Sequence, residues 1–347
     1  MNRNIEEQIP SVAQVASRLR VSLVERLSPL WQNRVLALVV INVVFALGAG
    51  LYKPAFLRPA NLWVIFVEMA MAAILLGPGV MILTSGMFDI SIDGVVVLAA
   101  IVGAKLMRAA NWDPLPAVLG AVAVGTSIGL INGWFTNKVK VNPLIITLAT
   151  WWICLGLAYG ITSGVAPYGF PQSFRVIGTK YIGGVPIFVW YAIISVVLFW
   201  FLMEKTRFGY QLYAMGGNRR AAELHGIKVD RIGITVYVTL AFVGSLIGLI
   251  YIARLDSAPP ILVQGLALNV ISACVIGGTS VGGGKGSIMG ALLGMLLMNM
   301  LMNATVVLGM NPYWQRAILG VVLFLAVVVD WFNNSAGAEA GMGKIGA

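Results

Sequence analysis

Apolar residues along this chain fall into long runs separated by short polar segments, and a window of about 19 residues resolves ten of them. The runs lie near 35–52, 63–83, 94–108, 115–136, 143–163, 186–203, 233–253, 264–279, 287–308 and 314–331. Crossing the hydrocarbon core of a bilayer as a helix takes about 20 apolar residues, and most of the runs reach that length. The third is short and is expected to be tilted, broken or partly re-entrant. The expected fold class is therefore all-α, a polytopic membrane protein with about ten transmembrane helices.

Helix breakers interrupt the pattern. Gly77-Pro78-Gly79 falls inside the second run, and Gly86, Asn142-Pro143 and Pro259-Pro260 mark further breaks. Backbone that leaves the helix at membrane depth persists only where protein or a water-filled cavity satisfies it. The breaks beside Asp89 and Asn142 therefore point to a transport path. Gly120, Gly125 and Gly129 in the fourth run suit close helix packing.

Composition agrees with this reading. Hydrophobic residues make up 59% of the 347 residues and charged ones 10%, against about 25% charged in an ordinary soluble domain. That excludes a soluble enzyme, a disordered chain and a DNA-binding protein. The net charge of +10 sits in the short segments between runs, where it sets orientation rather than binding nucleic acid. An even number of spans puts both termini on one side. If that side is the cytoplasm, fifteen of the 23 basic residues fall there, and the most basic internal loop, 204–232, falls with them. No cleavable signal peptide is visible before the first run.

Three regions follow: a cytoplasmic tail over 1–34, a transmembrane domain over 35–332 with the basic loop near 204–232, and a flexible cytoplasmic tail over 333–347. In the first tail, Val12, Val15, Leu19, Leu23 and Leu27 keep helical spacing while Arg18, Arg20 and Arg26 occupy other faces. This pattern fits an amphipathic helix on the membrane surface, the alternative being a disordered basic tail.

Candidate chemistry is sparse. Cys154 and Cys274 lie in apolar runs and read as small hydrophobes, and the single His225 has no Cys or acidic cluster around it, so no metal site is expected. Ionisable groups at membrane depth are costly and default to functional candidates, here Glu68, Asp89 and Asp93. Asp89 has two readings, a structural acceptor at a helix start or a pathway group. Glu68 is either interfacial or functional. In the basic loop, Asn218 is a good N-cap and Gly226 stands where a C′ glycine ends a helix of about two turns. The small side chains of Ala221 and Ala222 between them would let another protein approach closely.

The run Gly216-Gly217-Asn218 through Ala221-Ala222 to Gly226-Ile227 resembles the cytoplasmic coupling segment of ribose/monosaccharide-type ABC importer permeases. Ile276-Gly277-Gly278-Thr279-Ser280-Val281-Gly282-Gly283-Gly284-Lys285-Gly286 resembles a second signature of that family. Asn142-Pro143-Leu144-Ile145-Ile146-Thr147-Leu148 resembles a third. The resemblance covers about residues 60 to 332. It implies a type II ABC importer-like architecture in the bacterial inner membrane, with ABC ATP-binding subunits docked on the short helix through Gly217, Asn218, Ala221, Ala222, Glu223 and Gly226. It also implies an extracytoplasmic sugar-binding protein and a second permease subunit, identical or homologous. ATP-Mg then belongs to the partner subunit, and this chain binds no cofactor. The glycine block is no phosphate loop: G-x-x-x-x-G-K-[ST] needs glycine at Thr279 and Ser or Thr at Gly286.

Two departures stand out. The family run near Gly-Gly-Ile-Asp-Leu-Ser-Val-Gly appears as Gly86-Met87-Phe88-Asp89-Ile90-Ser91-Ile92-Asp93, which keeps Asp89 and Ser91 and gains Asp93. The family's Glu-Leu-Asp-Ala-Ile appears as Ala267-Leu268-Asn269-Val270-Ile271, which loses both charges. Whether the two places face each other stays open at this point. Candidate polar groups, structural or in the pathway, are Glu68, Asp89, Ser91, Asp93, Asn142, Thr147 and Asn269. The implied function is import of a sugar or related polyol by alternating access. The alternatives are an ABC permease for amino acids or nucleosides and a proton-driven secondary transporter.

Overall fold

The computed structural model describes residues 34–311 and, beyond them, 313–315, 317–322, 324–325 and 328. The amphipathic helix expected near 12–27 and the tail over 333–347 lie outside the described residues, and the tenth run is described only in part.

The described residues form the helices α1 Arg34–Tyr52, α2 Pro59–Ala73, α3 Leu76–Thr84, α4 Ile92–Arg108, α5 Pro114–Trp134, α6 Pro143–Thr162, α7 Gln172–Thr179, α8 Ile187–Lys205, α9 Arg207–Gly217, α10 Arg219–Leu224, α11 Val229–Leu255, α12 Leu266–Ile276 and α13 Ile288–Val307, of which α7 and α9 lie outside the expected elements. A two-stranded hairpin, β1 Tyr181–Ile182 and β2 Val185–Pro186, joins α7 to α8. Among the described residues six helices are long and apolar enough to cross a membrane, or seven with the bent pair α2–α3 counted once. The count of ten is thus approximate. At 1.5 Å per residue α4 reaches about 26 Å and α12 about 16 Å, short of a hydrocarbon core of about 30 Å.

Burial separates two classes of helix. In α11, 72% of the apolar window is buried, and α3, α4 and α12 are buried on nearly all sides. In α1 the share is 17%, and α5, α6 and α8 likewise turn apolar side chains outward, as helices facing lipid do. The seam between α5 and α11 is the most extensive in the bundle. Gly125 and Gly129 let it close: at Gly129 a Cβ would lie 2.5 Å from Ala241 Cβ and 2.7 Å from the Tyr237 carbonyl oxygen. Gly120 faces α4 instead, at Leu106.

The break in the second run has a specific cause. Pro78 has no N–H to give the Ile74 carbonyl, so the helix turns by 50° between Ala73 and Leu76. The freed carbonyl is satisfied from α8, where Ser195 Oγ donates to Ile74 O at 2.7 Å.

Close packing at the α5–α11 seam makes Gly129→Val an overpacking change, expected to cost about 1–3 kcal/mol. Membrane-inserted protein and its thermal stability in detergent should both fall. Gly156→Ala, where a Cβ meets nothing within 4 Å, should leave both unchanged.

Candidate functional site

One end of the bundle gathers the basic loop. Thr206 caps α9, its side chain accepting from Gly209 N, and Asn218 caps α10, its Oδ1 accepting from Ala221 N at 2.9 Å. Gly226 follows with φ +81°, a conformation that costs other residues strain. The helix is six residues long. Ala222 is 4% exposed, and Ile227 N donates to Ala222 O at 3.0 Å. Ala221 is half-buried, Glu223 is exposed, and Leu224 projects outward at 82% exposure.

Just before α10 three stretches of main chain meet. Gly284 N donates to Thr84 O at 2.8 Å, joining the glycine block to the end of α3. A Cβ at Gly216 would collide with Thr84 O and lie 2.6 Å from Gly284 N, and one at Gly283 would lie 2.7 Å from Gly216 O and 2.8 Å from Gly86 Cα. Tyr213 of α9 closes the junction by donating its hydroxyl to Gly286 O at 2.9 Å. Burial, then the charge of Glu204, pushes that phenol up to about 12, so it remains a donor at neutral pH.

A second tie is ionic. Asp230, in the first turn of α11, accepts from Arg219 at 2.9 Å and Lys140 at 2.8 Å, with Lys138 at 3.4 Å. Arg219 also reaches Asn137 Oδ1 at 3.2 Å. The start of α10 is thereby joined to the turn that leads into α6.

Buried polar groups lie behind this end. Asp89 Oδ1 accepts from Ser91 N at 2.7 Å and from the Ser91 hydroxyl. Asn132 of α5 donates to Ser91 Oγ at 2.9 Å and accepts from Thr150 of α6 at 2.7 Å. Tyr237 of α11 donates to Phe88 O at 2.8 Å. These bonds hold the stretch between α3 and α4 to three helices. Asn142 caps α6 through Leu144 N at 2.9 Å, and Thr147 donates to Pro143 O at 2.8 Å. Glu68 stands apart, half exposed, paired with Arg254 at 3.2 Å.

The family model described as "Branched-chain amino acid transport system / permease component" matches residues 59–327. The chain belongs to this permease family. The ribose import permease protein RbsC of Escherichia coli (strain K12) is 36% identical over 306 residues, 86% of this chain and 94% of that protein. The D-allose transport system permease protein AlsC of the same strain is 32% identical over 292 residues, 84% and 89% of the two chains. The L-arabinose ABC transporter permease protein AraH of Azospirillum brasilense is 33% identical over 307 residues, 88% and 90%. No solved structure gives a significant match.

In this permease the two departures from the family pattern face each other. Asp93, at the start of α4, reaches across to the start of α12 and accepts from Gly265 N at 2.8 Å and Ala267 N at 2.7 Å. A carboxylate on one helix thus caps another, a favourable position for negative charge at a helix N-terminus. Asn269 lies one turn further along α12 with a buried Oδ1 that has no hydrogen-bond partner among the described residues. Asn132, Thr150, Tyr213, Arg219, Asp230 and Tyr237 were not among the sequence candidates. Asn132 and Thr150 carried a usable signal, as polar side chains inside apolar runs; Asp230 carried none, since its partners are distant in the chain.

Two predictions follow from this geometry. Asp93→Ala leaves two buried N–H groups unpaired, at roughly 1–3 kcal/mol each, and should lower both membrane abundance and detergent stability. Asp93→Asn retains one acceptor oxygen and should fall between Ala and the parent protein. Leu224→Asp replaces the most exposed apolar side chain of α10, so folded permease should accumulate in the membrane in normal amounts, as measured by immunoblot of the membrane fraction.

Proposed function

We propose that this permease is the membrane subunit of an ATP-driven importer for a sugar or related polyol. The observation that carries the reading is the α9–α10 segment. It presents a short, firmly capped helix with an outward Leu224, and its base is tied by main-chain contacts to α3 and to the glycine block before α13. A helix displayed in this way suits the groove of another protein. The names of the relatives, which are permeases for ribose, allose and arabinose, support a monosaccharide as cargo.

In this reading two copies of the permease, or one copy and a homologue, enclose the pathway in the inner membrane. Two ATP-binding subunits dock on the cytoplasmic side, and a soluble binding protein delivers sugar from outside. The chain's own glycine block lacks the phosphate-loop pattern, so ATP-Mg is held by the partner. ATP binding and hydrolysis shift the populations of inward- and outward-open states, and the shift is only as large as the difference in affinity between them. The excess of basic residues around 204–232 supports a cytoplasmic coupling end with both termini on the same side.

The test is uptake by the complete complex in proteoliposomes, with ATP-binding subunit and binding protein present and ribose, allose and arabinose offered in turn. Accumulation of a labelled sugar is expected to require ATP on the coupling side and to survive an uncoupler. Uptake by the permease alone that the uncoupler abolishes would overturn this reading in favour of a proton-driven carrier.

A further inference from the structure

A cavity of about 550 Å³ separates α8 from α11. The two helices scarcely touch each other along this stretch. Its walls run from Tyr191 to Leu202 on α8 and from Thr239 to Ile250 on α11, about 17 Å along each axis. The surface is almost wholly apolar, and the Ser195 hydroxyl on the wall is already spent on the Ile74 carbonyl. Ile194, Leu198 and Phe242 are exposed at its mouth.

α7 packs against α11 and α8, and α9 packs against the same two helices. With the apolar side chains of Ile194, Leu198 and Phe242 exposed at the mouth, the cavity opens to the side of the bundle. Its length of about 17 Å falls short of the roughly 30 Å that a membrane-crossing helix needs, whereas a hydrocarbon chain fits a shorter apolar groove. Lys205, whose Nζ lies over the Trp200 ring at 5.7 Å from its centroid, comes one turn after Leu202 on α8, and Arg207 opens α9; both are exposed and together outnumber Glu204.

We propose that this cavity is a binding site for one acyl chain of an anionic membrane phospholipid, with the phosphate held by Lys205 and Arg207. The chain lies against Ile74 and Phe199, beside the 50° bend between α2 and α3. An occupant there supports the bend from the lipid side, where Pro78 has removed the helix's own hydrogen bond. The site is independent of the transported substrate.

The test uses the permease in proteoliposomes containing phosphatidylglycerol with a diazirine in the acyl chain, followed by photolysis and peptide mapping. The outward residues Val43, Val44 and Leu47 of α1 supply the baseline for bulk lipid. Labelling of the α8 and α11 walls is expected to exceed that baseline several-fold. Leu246→Trp should fill the cavity and return wall labelling to baseline without changing α1. If that variant fails to accumulate, Leu198→Trp at the mouth serves the same purpose. Lys205→Gln with Arg207→Gln should remove the preference for phosphatidylglycerol over phosphatidylcholine. Wall labelling no greater than that of α1 would overturn the proposal, as would efficient disulfide crosslinking between two copies through Leu246→Cys, which would assign the cavity to a second permease.

Discussion

Main-chain atoms at Thr84, Gly216 and Gly284 meet with no side chain between them, and the position of the α9–α10 segment depends on that contact. A hydrogen bond from Gly284 to Thr84 and glycine at each point of approach make it possible. One methyl group at Gly216 would occupy the space of a carbonyl oxygen. The base of α10 is consequently seated on the end of α3 and on the loop before α13, two elements far apart in the chain. Tyr213 and Asp230 add side-chain ties around this contact, the first to the glycine block and the second to the turn before α6. A short helix that would not hold its shape alone in water is fixed by its surroundings.

The same need, satisfying main-chain polar groups away from water, explains the other buried polar residues. At three places where the helical hydrogen-bond pattern stops inside the bundle, a side chain from a neighbouring helix takes over. Ser195 serves the carbonyl that Pro78 releases, Asp93 serves the first N–H groups of α12, and Tyr237 serves the carbonyl of Phe88. Asp89 and Ser91 serve each other and are pinned by Asn132 and Thr150. In a medium that offers no replacement donor, each of these bonds weighs more than its count suggests.

Much of this was legible beforehand and some was not, for definable reasons. Apolar runs locate α1 to α6, α8 and α11 to α13 because hydropathy reports what a segment is surrounded by, whereas α7 and α9 lie outside those runs. The run 264–279 is helical only over Leu266–Ile276, because a hydropathy window averages over Gln264 and the Gly277-Gly278 break, so the count of ten crossings is approximate. Asn218 and Gly226 marked the ends of α10 because caps are local chemistry. The burial of Ala222 was not legible, because the side a six-residue helix turns inward is decided by the rest of the fold. Asp230 and the contact between Asp93 and Ala267 were invisible for a related reason: each joins residues far apart in the chain, and no spacing rule connects them.

The Asp93 bridge carries a consequence for how this permease relates to its family. The family pattern that this sequence resembles has acidic residues at the positions of Ala267 and Asn269, whereas here a carboxylate reaches the start of α12 from α4. The two segments are therefore coupled in their packing. A chimera that takes only the family's α12 sequence would set fresh carboxylates against Asp93, and one that takes only its α4 sequence would leave α12 without an acceptor at its start. Recombination between such permeases is compatible with this packing only when residues 86–93 and 265–271 travel together, although more than 170 positions separate them.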